Sequence, residues 1–176
     1  MDRNRRTLFT TASVIGATAL GAYSQTAHAQ NALKTPFNVA ITTIPIVGSS
    51  EAFPVRRIYC IGRNYEAHAK EMGSDPTREP PFFFQKPTDA IQLVPIGQTI
   101  EHPYPPLTKN YHHEIELVAA LSKGGRNIPV ERALDYVYGY AIGLDMTRRD
   151  LQRAMGDQKK PWEIGKSFDH SAPIGP

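Results

Sequence analysis

The chain has 176 residues, of which 21% are charged, and a formal net charge of +3. Setting aside residues 1–29, with Arg3, Arg5, Arg6 and Asp2, lowers that charge to +1, so no basic stripe argues for nucleic acid. No second apolar span argues for a membrane anchor, and a single cysteine, Cys60, excludes disulfides within the chain.

Residues 1–29 read as an export signal. A basic start is followed by an uncharged stretch from Thr7 to Ala22 and an A-x-A cleavage site, Ala27-His28-Ala29. The pair in Asn4-Arg5-Arg6-Thr7-Leu8-Phe9 resembles a twin-arginine signal, which predicts a periplasmic protein, or a cytoplasmic one if the signal is not functional. Residues 30–55 then form an N-terminal arm, with one β-like run from Phe37 to Val47 broken at Pro45. Residues 56–176 form a single modest domain. All fifteen prolines lie after residue 35, a density that favours strands and loops with few short helices.

Arg56–Gly62 reads as a buried strand, with Cys60 as a small core residue. Asn64 can cap a short helix over Tyr65–Met72. His68 and Glu71 lie three apart on that helix and can share a face, so Glu71 could hold the imidazole of His68 as a general base. A surface pair is the plainer alternative. The polar loop Ser74–Pro81 would let this helix move as a lid. Phe82-Phe83-Phe84-Gln85-Lys86 reads as a strand with core on both faces, and Lys86, if buried, needs an anionic partner. Asp89–Leu93 is a further short strand, and His102–Leu107 is a proline-rich approach to the next one.

The organising stretch is His112–Leu121, a strand that alternates polar and apolar before an apolar tail enters the core. Glu114 and Glu116 point to one face, their Cα atoms roughly 7 Å apart. Such a pair alone is more often a solvated strand face. Packed at the mouth of an apolar strand, two carboxylates repel each other unless a cation lies between them, and hard oxygen donors favour Mg²⁺, Mn²⁺ or Ca²⁺. A turn at Lys123–Asn127 and a helix from Pro129 through Tyr136 lead to the long β run Tyr138–Thr147. Asp145 is the one acid of that run; Arg148 or Arg149 could pair with it structurally, whereas with Glu114 and Glu116 it would complete an oxygen site open to water and substrate. Arg148–Met155 reads as a short helix, and Pro161–Asp169 as a strand presenting Lys166, with Trp162 as an anchor.

These residues resemble one family in order and spacing. Gly62-Arg63-Asn64-Tyr65 with His68 and Glu71, Lys86-Pro87, His113-Glu114-Ile115-Glu116, Leu144-Asp145-Met146-Thr147, Arg149-Asp150-Leu151-Gln152 and Gly165-Lys166-Ser167-Phe168 are similar to the fumarylacetoacetate hydrolase superfamily, from about Arg56 to Pro176. Within it, Pro80–Phe84 and His112–Glu116 look most like acylpyruvate hydrolases acting on fumarylpyruvate in gentisate breakdown.

The resemblance implies an α+β, mostly β fold of mixed β-sheets rolled around a metal site, usually as a homodimer. It implies Mg²⁺ or Mn²⁺ held by Glu114, Glu116 and Asp145, and water activated by His68 and Glu71. Gln152 and Lys166 would contact the oxygens of a dicarboxylic keto acid, and Arg149, Lys86 and Arg63 are the further substrate-binding candidates. The same site could serve an oxaloacetate decarboxylase or an isomerase without a water nucleophile. The chain stops at Ile174-Gly175-Pro176, where family members continue into further strands. The domain is therefore expected to be incomplete, and a truncated, inactive remnant that only binds metal or a partner is the reading from outside enzymology.

Overall fold

The computed structural model describes residues 35–71, 73, 75 and 81–176, without the side chains of His68 and Glu71. The export-signal reading therefore lies outside the described residues, as does most of the expected lid loop. Val39–Pro176 form one unit; of the other, Met1–Asn38, only residues 35–38 are described. Among the described residues, no helix is long and apolar enough to cross a membrane.

Strands carry most of the regular structure. In chain order they are β1 (Thr43–Pro45), β2 (Ala52–Pro54), β3 (Ile58–Gly62), β4 (Phe82–Lys86), β5 (Ile91–Leu93), β6 (Tyr111–His112), β7 (Ile115–Leu121), β8 (Val137–Leu144), β9 (Thr147–Arg148) and β10 (Ala172–Gly175). Among the described residues, three short α-helices accompany them: α1 (Glu66–Glu71), α2 (Arg149–Asp157) and α3 (Glu163–Lys166). A mixed four-stranded sheet runs β5-β10-β8-β7, with β10 parallel to β5 and antiparallel to β8. Three antiparallel ribbons, β1-β2, β3-β4 and β6-β9, complete it. This is the expected mostly β architecture with few helices.

The expected long strands are each cut in two, and the cuts face one another. β7 and β8 pair from Ile115↔Leu144 to Leu121↔Val137, with an irregularity between Ala120 and Leu121. One step beyond Ile115↔Leu144, the Asp145 N–H still donates to the Glu114 carbonyl at 2.8 Å. There the ladder is interrupted, but the two strands keep the same partner and register. The Met146 N–H bonds outward to the Ser171 carbonyl, in line with the β8–β10 pairing, and the hairpin resumes as β9 with β6 through His112↔Thr147. Glu114 and Asp145 thus sit side by side at an interruption within one continuous hairpin.

The expectation of a strand over Pro161–Asp169 is corrected: this stretch holds the helical turn α3. Tertiary contacts override the local pattern here. Trp162 sets its ring edge-on to Phe82 at 5.1 Å and tilted to Phe84 at 5.9 Å, which docks the turn on β4. Gly165 lies against the backbone of Gln152 in α2, too close for any side chain. Val130–Tyr136 winds as a 3₁₀ helix capped by Pro129.

The apolar tail of β7 does not enter a core on both faces either. Ile115, Leu117 and Leu121 are 67%, 61% and 59% exposed, and Tyr140 and Ile142 of β8 stand exposed with them. The opposite faces of β7 and β8 carry Glu116, Val118 and Gly143 and are the more enclosed. Phe83 is exposed as well, so the Phe82–Phe84 run has core on one face only. The buried interior is largely polar: Lys86, Asp145, Thr147, Arg149, Gln152, Lys166 and Ser171 are enclosed with Met146, Phe168, Ala172 and Ile174.

Candidate active site

Each side chain of the site is delivered by a feature described above. The shared register of β6–β9 and β7–β8 brings Glu114 beside Asp145, and β7 carries Glu116 two residues on. Helix α2 turns Arg149 and Gln152, three apart, to one buried face. Asp150 anchors the start of that helix: its carboxylate accepts from Thr108 Oγ1 at 2.6 Å and from the Lys109 N–H at 2.8 Å. Those bonds hold the Asp150 carboxyl below its ordinary pKa. Helix α3 supplies Lys166, whose side chain is 2% exposed.

Glu114, Glu116, Asp145, Arg149, Gln152 and Lys166 line one cavity of about 30 Å³, walled on its other side by Arg63, Asn64, Tyr65 and Trp162. That is room for about one water. A Cβ at Gly62, just before Arg63, would fall 2.2 Å from the Phe82 ring, so a larger residue there would push that ring aside. The Arg63 guanidinium lies over that ring, 5.7 Å from its centroid. Tyr65 Oη accepts from the Leu117 N–H at 3.4 Å, tying the approach to α1 to the acidic strand. Ala69 buries the inner side of α1. The side chains of His68 and Glu71, on the same helix, lie outside the described residues.

Charge is closely balanced. The Lys166 ammonium donates to Glu114 Oε2 at 2.7 Å, Asp145 Oδ2 at 2.6 Å and Thr147 Oγ1 at 2.7 Å. Arg149 donates to Glu114 through Nη2 and to Gln152 Oε1 through Nη1, the latter at 2.6 Å. Burial alone would raise the pKa of Glu114, but the charges and hydrogen bonds of Lys166 and Arg149 outweigh it and bring the carboxyl down to about 2.

Lys86 does not line this cavity but lines a neighbouring one, together with Glu116 and Asp145. Its ammonium meets Asp145 Oδ1 at 2.8 Å and donates to the carbonyls of Met146, at 3.1 Å, and Lys166. The anion it needs is thus a side chain of this protein. Burial pulls the Lys86 ammonium below lysine's ordinary value, against the opposing pull of Asp145. Cys60 is half-buried nearby, its thiol pushed up to about 12 by burial and by the charge of Asp145, as befits a packing residue.

The donor set fits a hard divalent cation. Glu114, Glu116 and Asp145 offer carboxylate oxygen, and Lys166 shows that a cation can bridge two of them. Asp145 Oδ1, although beside Lys86, has no aligned hydrogen bond. In this arrangement the acids close on Lys166, and among the described residues no three His, Cys, Asp or Glu side chains stand in metal-holding geometry. Thr147 is the buried site residue that sequence reasoning passed over. Its position two residues from Asp145, which puts both on one face of an extended chain, was the signal available.

A family model described as "Fumarylacetoacetate (FAA) hydrolase C-terminal" matches residues 57–176. The chain belongs to the fumarylacetoacetate hydrolase family. The solved structure of a family member, fumarylpyruvate hydrolase from Pseudomonas aeruginosa in complex with Mn²⁺ and pyruvate, is 60% identical with a TM-score of 0.79. That likeness covers 81% of this chain and 62% of the other. The mitochondrial oxaloacetate decarboxylase of Dictyostelium discoideum is 44% identical over 119 residues, covering 68% of this chain and 53% of the relative. The mitochondrial oxaloacetate tautomerase of Mus musculus is also 44% identical over 119 residues, covering 68% and 52%. The chain spans about half the length of the curated relatives it matches.

Proposed function

We propose that this chain carries the catalytic site of a divalent-metal-dependent hydrolase that cleaves the C–C bond of acylpyruvates, with fumarylpyruvate giving fumarate and pyruvate. One observation carries the reading. Three carboxylates, Lys166, Gln152 and Arg149 converge on one cavity in a chain 60% identical to a fumarylpyruvate hydrolase solved with Mn²⁺ and pyruvate.

Glu114, Glu116 and Asp145 would hold Mg²⁺ or Mn²⁺. When bound, such an ion supplies Lewis-acid stabilisation of negative charge on a keto acid's oxygens. Arg149 fixes Gln152 through its Oε1, which leaves the amide NH₂ to donate to substrate. His68, supported by Glu71, takes a proton from water, and the resulting hydroxide adds to the distal carbonyl. The adjacent C–C bond then breaks, and its electron pair stays on the pyruvyl fragment as an enolate. The Lys166 ammonium faces that charge in a small, enclosed space where its field is strong. A proton returned to the methylene carbon from Lys166 or His68 completes pyruvate, and the acyl fragment leaves as a carboxylic acid.

The oxaloacetate relatives favour a second reading, tautomerisation or decarboxylation through the same enolate without water addition. The exposed apolar face of β7 and β8 supports a homodimer, and the twin-arginine pattern supports export. The deciding experiment incubates the full chain, loaded with Mg²⁺ or Mn²⁺, with fumarylpyruvate and with oxaloacetate. Equimolar fumarate and pyruvate, abolished by chelation and restored by Mn²⁺, are expected. Turnover of oxaloacetate alone would establish the second reading.

A further inference from the structure

The hydroxyl of Thr147 has no part in the reading above, yet it touches the central lysine. Thr147 is fully buried in β9, and its Oγ1 donates to the Asp145 carbonyl at 3.1 Å. A hydroxyl has one proton, so toward Lys166 Nζ, 2.7 Å away, it can only accept. An ammonium has three protons, and Glu114 Oε2, Asp145 Oδ2 and Thr147 Oγ1 take all three. Two of these acceptors are carboxylates that the proposed function assigns to the metal. Thr147 is the third, neutral and held in place by the Asp145 carbonyl.

We propose that Thr147 is a positioning residue for Lys166: its hydroxyl tethers the ammonium at the cavity when Glu114 and Asp145 engage a divalent cation. This rests on the proposed metal site. With the carboxylates turned to the ion, two ammonium protons become available to substrate oxygens, and the third bond keeps the long lysine side chain from swinging away. A tether of this kind acts on the enolate-forming step more than on substrate capture. It needs the hydroxyl and not the volume of the side chain.

The test compares the full chain with Thr147→Val, nearly the same shape without the hydroxyl, and Thr147→Ser, which restores it. Circular dichroism and melting curves establish that both variants fold. On whichever substrate the wild type turns over, Thr147→Val should lower kcat on the order of ten- to a hundred-fold, the usual worth of a hydrogen bond to a charged group, with KM moved less than about threefold. Thr147→Ser should recover most of the rate. A second readout needs no turnover: acylation of Lys166 by an amine-reactive ester, mapped by mass spectrometry with and without Mn²⁺. Lys166 should be acylated several-fold faster in Thr147→Val than in wild type, and most clearly with Mn²⁺ present. Equal labelling in the two proteins overturns the inference, as does a serine variant as slow as the valine variant. A wild type inert toward both keto acids would count against the proposed function, while the labelling comparison still decides the role of Thr147.

Discussion

Replacing Gly165 by alanine tests the packing that sets Lys166 in place. A Cβ at position 165 would lie 2.8 Å from the Cα, Cβ and N of Gln152, where ordinary contact begins at 3.4 Å. Two of those atoms are backbone, so no side chain can swing aside, and α2 and α3 must separate by at least the 0.6 Å difference between those two distances. Overpacking of this kind costs about 1–3 kcal/mol. Alanine's better helix propensity offsets up to about 1 kcal/mol of that. The net loss should be about 1–2 kcal/mol, or a fall in Tm of roughly 2–8 °C for a chain of this size. The same displacement moves both Lys166 and Gln152, and a shift approaching 1 Å at reacting groups can cost about a hundredfold in rate. Thermal melts followed by circular dichroism, together with kcat on the working substrate, measure both effects. An alanine variant that melts and turns over like the wild type would refute the described contact between the two helices.

The remaining predictions address charge and anchoring. Glu114 titrates at about 2 in the folded chain against an ordinary 4.5, so its ion pairs contribute stability that is complete above about pH 4.5 and lost as pH falls through about 2. Discounted for the carboxylate's partial exposure, that contribution is roughly 2–3 kcal/mol, and urea midpoints of metal-free protein at pH 6, 4 and 2.5 should fall accordingly and more steeply than in Glu114→Gln. Lys86→Met removes one of two cations from the buried Asp145 and should cost roughly 3–5 kcal/mol, read as a lower urea midpoint. Lys86→Arg should retain more of that stability, and equal stability of the methionine variant and wild type would show that the Asp145 pair is not formed. Trp162→Ala strips α3 of its contacts with Phe82 and Phe84 and should cost about 2 kcal/mol by calorimetry.

The acids were readable in the sequence because their cost is local. Two glutamates alternating with apolar residues, and one aspartate alone in an apolar run, demand compensation wherever the fold encloses them. The breaks at His113–Glu114 and Asp145–Met146 were not readable, since a strand interrupted briefly without changing partner or register keeps its period of two. Nor was α3. Its four residues are too few to show a helical period, and its glycine argues locally against a helix while the backbone of Gln152 requires it. Lys86 announced a need for an anion, but only the fold names Asp145, nearly sixty residues away, as the partner. The apolar pattern of β7 and β8 was plain, yet pattern alone does not say which apolar face will be covered.

Glu114 and Asp145 lie just past the β7–β8 pairing, while the connection from Ser122 to Tyr136 lies at the hairpin's closed end, beyond the irregularity at Ala120 and Leu121. Changes of length in that connection can be absorbed at the far turn without sliding one acid past the other. The catalytic spacing is insulated from the most exposed loop of the hairpin, which leaves that loop free to drift in evolution and makes it a practical place to graft a tag or a reporter.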